Sequence, residues 1–373
     1  MALLRQLAGR ALATTFAAAA LVAGAHAQIM IGQTAGHTGA VASSVNEATQ
    51  GAKMYFDIVN ASGGVNGQKI TLVVMDDQFD PKLAAANAKK LIDQGVLALF
   101  LTRGTPHTQA IMPLLTEYKI PLVAPSTGAM VLHKPVHPWL FNVRATYQRE
   151  AERAIEHLSL IGVQRIAILQ VDDSFGDDAV QGALAGLAKT NKTAVAHEKY
   201  DRTKPDFGPI MPKLLASQPQ AVIFIGSGSA VVQGMKAVRA TGSTAQLVTL
   251  SNNASAGFIK DLGDVGRGVI VSQVFPYERS MAKPVIKEAA EAASHAKVEL
   301  TPSTVEGYVS AKVLVEGLKK AGKQPTRQSL RAALESLSHI DLGGIEMGYG
   351  PNDHTGLDYV DLAIVDQSGK FRR

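Results

Sequence analysis

Cysteine is absent from all 373 residues, so the chain can carry neither a disulfide nor a lipid-modified N-terminal cysteine, and thiolate chemistry is excluded. Aromatic residues are scarce at 5%, with one tryptophan, and no run of lysine or arginine is dense enough to follow a phosphate backbone. Nucleic acid is therefore not an expected partner. Also missing are a GxxxxGK phosphate loop and an HExxH pair. Ten histidines are scattered without an i, i+4 pair backed by a carboxylate, so neither a resident metal nor a cofactor is expected. Gly226-Ser227-Gly228-Ser229 begins like a nucleotide fingerprint, but Val231 occupies the third glycine's place, and the GxSxG frame centres on Gly228 instead of a serine.

Long hydrophobic runs are lacking as well, except at the start. Arg5 and Arg10 precede a mostly apolar stretch from Ala11 to Ala25, and Ala25-His26-Ala27 fits a small-x-small cleavage site. That stretch is short for a membrane span, which needs about 20 apolar residues. Residues 1–27 are therefore expected to be a signal peptide that sends a free, soluble protein beginning at Gln28 to the periplasm. What remains is 346 residues with a net charge of +3, more chain than one hydrophobic core organises, so two lobes are expected.

Strand-like and helix-like segments alternate from Ile29 onward, which predicts parallel sheets covered by helices. Asp80-Pro81 supplies an N-cap and first helical residue, and a helical stripe at Ala151, Ala154, Ile155, Leu158 and Ile161 stops at Gly162. Five strands follow between Arg165 and Phe275. The chain then turns helical, with one helix expected to open at a capping box Ser303-Thr304-Val305-Glu306 and another at Thr326. Having no strands of their own, these helices are expected to cover the first sheet. The reading is an α/β protein of two doubly wound, Rossmann-like lobes joined by a three-crossing hinge. One lobe is residues 28–145 and 276–356, the other 146–275 and 357–373. Such a clam-shell closes on a ligand by hinge motion.

The clearest functional signal is the junction LALFLTRGTPHT, Leu97 to Thr108, where an apolar strand runs into a helix start. Gly104 allows the turn, Thr105 is expected as N-cap and Pro106 as first helical residue. Unpaired amide N–H groups and the positive end of the macrodipole then face the carboxyl end of a strand, where open α/β sheets bind ligands. Arg103 either holds a ligand carboxylate bidentately or points outward to a surface acid. Ser227 and Ser229 also follow a strand and are read either as cleft hydroxyls or as an ordinary turn. Asp172 and Asp173 either meet a cation or cap the next helix. His107 is expected as a polar surface residue, and His133 and His137 as solvated loop residues.

Several segments together resemble the periplasmic binding proteins of the leucine/isoleucine/valine type, which serve ABC importers of branched-chain amino acids and related compounds. These are Gly51 to Lys69, DDQFDP from Asp76, Gly104 to Gln109, PLVAPSTG from Pro121, FNVRA from Phe141 and Arg165 to Gly176, in family order. The resemblance implies a type I two-lobed fold, a small-molecule solute, an ABC permease and ATPase as partners, a monomer and no enzymatic activity. It places the carboxylate-receiving hydroxyl at Thr105, turn contacts at Ser126, Thr127 and Gly128, and the second lobe's aromatic ring at Phe175. Tyr147 and Gln273 join Arg103, Gly104, Ser227 and Ser251 as further candidate ligand residues. The tyrosine many relatives use falls near Gly228, and the carboxylate that pairs with a ligand's ammonium group falls near Ser251. The carboxylate half of an amino-acid site is thus recognisable and the ammonium half is not, unless Asp172, Asp173 or Glu278 substitutes. The expected function is a receptor for a small carboxylate- or amide-bearing solute; the alternatives are a periplasmic hydrolase using a cleft serine and a sensing subunit of a membrane signalling system.

Overall fold

A computed structural model describes residues 28–373; the expected signal peptide lies outside them. The first sheet is entirely parallel, in the order β2-β1-β3-β4-β5. Its strands are β1 (Ile29–Ala35), β2 (Ile70–Asp76), β3 (Ala98–Phe100), β4 (Leu122–Val123) and β5 (Leu140–Phe141), separated by α1 (Ala42–Ala61), α2 (Pro81–Asp93) and α3 (Thr105–Glu117). Strand β5 has no counterpart in the sequence reading, because two residues carry no periodicity to detect. Helix α2 starts as expected, with the Asp80 carboxylate accepting the amide N–H groups of Lys82 and Leu83.

The second sheet takes up α4 (Tyr147–Leu160), β6 (Ile166–Val171), α5 (Ser174–Lys189), β7 (Ala196–Tyr200), α6 (Ile210–Ala216), β8 (Ala221–Ile225), α7 (Gly228–Ala240), β9 (Gln246–Thr249), α8 (Ala256–Leu262) and β10 (Ile270–Gln273). Every residue of β6 and β8 is buried, as unbroken apolar strands at the centre of a parallel sheet should be. Edge strand β7 instead alternates between covered and exposed positions.

The chain then returns to the first sheet as α9 (Pro284–Ala296), α10 (Pro302–Ala321) and α11 (Arg327–Glu335). Their Val285, Ile286, Val309, Val313 and Leu330 share one core with Ile31 and Phe100, while α2 and α3 bury the sheet's other face through Leu91, Ile111 and Leu115. A short hairpin, β11 (Ile340–Asp341) and β12 (Glu346–Met347), precedes a last passage to the second sheet, where β13 (Asp361–Val365) adds antiparallel to β10 and β14 (Phe371–Arg372) antiparallel to β13. Both lobes are thus doubly wound, and the chain crosses between them three times.

Helix α10 departs from expectation. Its N-cap is Thr301, whose hydroxyl accepts the Thr304 amide N–H, with Pro302 at the first position. The Ser303 capping box does not form, because the helix has already begun and Glu306 is drawn inward. Thr326 does cap α11, reciprocally with Ser329.

Candidate functional site

Ligand crevices of open α/β sheets lie where strand order reverses, beyond the strands' carboxyl ends. In the first sheet that point lies between β1 and β3, and in the second between β6 and β8. Residues just past the strand ends of the two sheets meet: Arg103 reaches the Asn252 carbonyl oxygen, and Gly228 lies against Ala40. Past the end of β3, Arg103 still pairs with Ser126 in a single parallel bridge. Helix α3 begins one residue earlier than expected: Gly104, with φ +93°, is the N-cap, and Thr105 is the first helical residue. Thr105 is freed from capping, and its hydroxyl shares a hydrogen bond of 2.8 Å with that of Thr127. Gly128 lies where a Cβ would fall 2.5 Å from the Ala145 carbonyl oxygen, so its lack of a side chain lets the first crossing segment pass.

Arg103 does not point outward. It is 4% exposed, and its Nη1 donates to Ser126 Oγ at 3.0 Å while Nη2 reaches across the cleft to the Asn252 carbonyl oxygen at 2.6 Å. Among the described residues no carboxylate lies in ion-pairing distance of it. Burial draws its pKa below the ordinary arginine value, yet a guanidinium stays charged in any protein. A buried cation without an anion among the described residues thus lies where the two lobes meet.

A second buried arginine was missed by the sequence reading. Arg144, in the first crossing, pairs with Glu150, donates to Ser251 Oγ at 2.5 Å and lies 3.8 Å from Glu306. Glu150 also accepts the Ser251 amide N–H at 2.9 Å and the Ser272 hydroxyl at 2.5 Å. Arg144 sits over the Tyr147 ring at 4.6 Å, and that ring meets Phe175 at 4.5 Å between centroids. Tyr147, Phe175 and Ser251 are therefore brought together, but Ser251 is fully engaged by Arg144 and Glu150. The available signal was an arginine in FNVRA, beside apolar Phe141, Val143 and Ala145; its partners lie 6, 107 and 162 residues on, beyond any local pattern.

The remaining candidates divide. Asp173 caps α5 through the Phe175 and Gly176 amides and pairs with Arg202, and Asp172 pairs with Lys199, so neither is free for a ligand. Ser227 Oγ accepts the Asn252 side-chain amide at 3.0 Å, while Ser229 is exposed. Gly228, with φ +55°, lies against Ala40 of the first lobe so closely that a Cβ would overlap its carbonyl oxygen. Gln273 is buried, with only a long 3.5 Å bond to the Val271 carbonyl.

Two histidine expectations are corrected. His107 is completely buried, stacked on Phe79 at 4.3 Å, and His133 is also buried, because the α3 start and the loop after β4 fold inward. Burial lowers each to a pKa of about 4, so both are neutral near pH 7. Glu278 faces a cavity of about 20 Å³ lined also by Glu299, Thr301 and Lys370, room for one water and not for a solute. No cluster of metal-ligating side chains occurs, and no helix is long and apolar enough to cross a membrane, among the described residues.

Comparison with known proteins agrees with this geometry. An amino acid binding protein of Pseudomonas aeruginosa is 28% identical over 229 residues, 60% of each chain. A Leu/Ile/Val-binding protein, BraC3, of Rhizobium johnstonii is 26% identical over 345 residues, covering 91% of this chain and 92% of its own. The crystal structure of a substrate-binding periplasmic protein from Ralstonia solanacearum superposes with a TM-score of 0.86 at 32% identity, over 92% of this chain and all but 1% of its own. With the model of the periplasmic binding proteins matching residues 28–370, this chain belongs to that family: it is a type I, two-lobed binding protein and not an enzyme.

Proposed function

We propose that the protein is the solute receptor of an ABC importer, trapping a small carboxylate- or amide-bearing compound between its lobes and presenting the closed form to a membrane permease and ATPase. The observation that carries this reading is Arg103, a buried cation at the first lobe's switch point with no carboxylate partner and with a second-lobe carbonyl as its neighbour. The lobes are taken as residues 28–145 with 276–356, and 146–275 with 357–373. Thr105, Ser126 and Thr127 supply hydroxyls from the first, and Phe175 supplies an apolar wall from the second. Export through residues 1–27 and solute capture in the periplasm are parts of the same reading, and the Leu/Ile/Val relative supports an amino acid or related compound as ligand.

Thermal-shift screening of amino acids, aromatic acids and dicarboxylates, each beside its amide, tests it. A ligand at 100 times its dissociation constant should stabilise the protein by about 2.7 kcal/mol. Acids should outrank their amides, because a neutral amide answers a guanidinium with one weaker hydrogen bond. A panel in which neither acids nor amides raise the melting temperature sinks the proposal.

A further inference from the structure

Away from the crevice between the lobes, the first lobe carries a second concavity. A groove of about 1090 Å³ is lined by α1, α9, α10 and the turn of the β11–β12 hairpin. Helix α1 contributes its C-terminal half, from Met54 to Ala61, the stretch that returns the chain to the amino end of β2. The groove therefore lies toward the end of the sheet opposite the strands' carboxyl ends, and no residue of the second lobe lines it.

Two tyrosines line this groove. Tyr308 is 1% exposed and Tyr55 8%, and their rings meet edge to face at 5.1 Å between centroids. A buried tyrosine hydroxyl ordinarily finds a hydrogen-bond partner, yet neither of these has one among the described residues. Neither oxygen is fully enclosed, so each is open on the side of the groove that both residues line. Burial, reinforced by the charges of Glu316 and Glu288, pushes the Tyr55 hydroxyl up to about 12, so it keeps its proton and can both donate and accept.

The charges around these hydroxyls are mostly of one sign. The chain as a whole is basic, with a net charge of +5, but the groove is lined by five carboxylates against two lysines and one histidine. Lys312 is taken by Glu288 at 2.5 Å and Lys319 by Glu316 at 2.7 Å. Asp341 accepts the amides of its own turn. Asp57 and Glu291, on different helices, have neither a cation nor a donor among the described residues. Lys312 Nζ also stands 5.9 Å from the centre of the Tyr55 ring, so the groove already holds one ammonium group between a carboxylate and an aromatic face. Exposed acids alone make an ordinary solvated surface; two buried hydroxyls left without partners beside them do not.

We propose that this groove is a second binding site, for an aliphatic polyamine whose ammonium groups meet Asp57, Glu291 and the hydroxyls of Tyr55 and Tyr308 while its methylenes lie on Met54 and Ile58. A compact divalent cation would need carboxylates converging on one point, and no such cluster occurs among the described residues. Separated ammonium groups on an apolar chain match separated acids with apolar surface between them. The site is independent of the solute-receptor reading.

Calorimetry on the purified full-length chain with spermidine, in about 150 mM sodium chloride to screen loose surface attraction, tests this. Spermidine should bind at one saturable site, and magnesium chloride at equal concentration should not displace it. Tyr308→Phe removes one unpaired hydroxyl and leaves the ring, so it should weaken spermidine about tenfold without lowering the melting temperature. Glu291→Gln should weaken it about two- to fivefold. No saturable binding, displacement by magnesium, or wild-type affinity in Tyr308→Phe overturns the proposal. Should Tyr308→Phe not fold, Tyr55→Phe must show the same loss, and an unchanged affinity there overturns it. Spermidine has no carboxylate for Arg103, so failure here leaves the receptor reading standing.

Discussion

Arg103 and Arg144 are both buried, both follow a strand of the first sheet and both reach a residue of the second lobe, yet their surroundings are opposite. Burial works against the charge of each. Around Arg144, however, Tyr147, Glu150 and Glu306 overcome it and hold the guanidinium above the ordinary arginine value. Around Arg103 nothing does, and its pKa falls. One cation has its charge completed by the protein, although its Nε and Nη1 find no hydrogen-bond partner, and the other is hydrogen-bonded but has no anion among the described residues. Burial alone does not separate a structural charge from a binding one; the inventory of its partners does.

The largest expected effect breaks the completed member. Arg144→Met strands Glu150 and brings Glu306 no compensation, so urea denaturation should show a loss of about 3–5 kcal/mol. Arg103→Met strands no anion. It removes two hydrogen bonds and should cost at most about 2 kcal/mol in stability, while affinity for a carboxylate ligand measured by calorimetry drops by about 2–5 kcal/mol. If the two substitutions destabilise equally, the contrast is wrong.

A third buried charge sharpens it. Burial pushes Glu278 up to about 7, against the opposing influence of a backbone hydrogen bond, Arg279 and Lys370. Because the folded state binds this proton more tightly than the unfolded chain, stability is highest below the ordinary value of 4.5 and is lost as pH rises toward about 7. Glu278→Gln should therefore be the more stable protein at pH 8, by up to about 3 kcal/mol, and match the wild type at pH 4; thermal melts at both values check it. The smallest effect belongs to Thr105→Val. Since Gly104 and not Thr105 caps α3, only the hydrogen bond to Thr127 is lost, about 0.5–1.5 kcal/mol of stability, and ligand affinity should fall by a comparable amount in the same calorimetric assay.

The fold was legible because alternation of apolar strands and striped helices is a local, periodic signal. Asp80-Pro81, the Ala151 stripe and Thr326 sit where the sequence puts them, except that Ile161, the last position of the stripe, is the exposed C-cap. Short elements such as β5 and the β11–β12 hairpin carry no such period. Cap positions slipped by one or two residues at Thr105 and Ser303, where several capping residues stand side by side and packing picks among them. At the site, Arg103 could be found from its place at a strand end. Arg144, Glu150 and Glu306 could not, because their meeting depends on three crossings of the chain and leaves no spacing to read. His107 reads as a surface residue of a helix's first turn and His133 as a solvated loop residue, but His107 stacks on Phe79 and both are buried by contacts distant in sequence.

Where Gly228 meets Ala40, the two halves touch main chain to main chain, with no flexible side chain to yield. The width of the shut cleft is thereby set by the thickness of a polypeptide backbone. One methyl group at that point would act as a doorstop, propping the halves apart far from any ligand atom. Such a protein would keep Arg103 and Thr105 in place and lose only the close approach of its two halves.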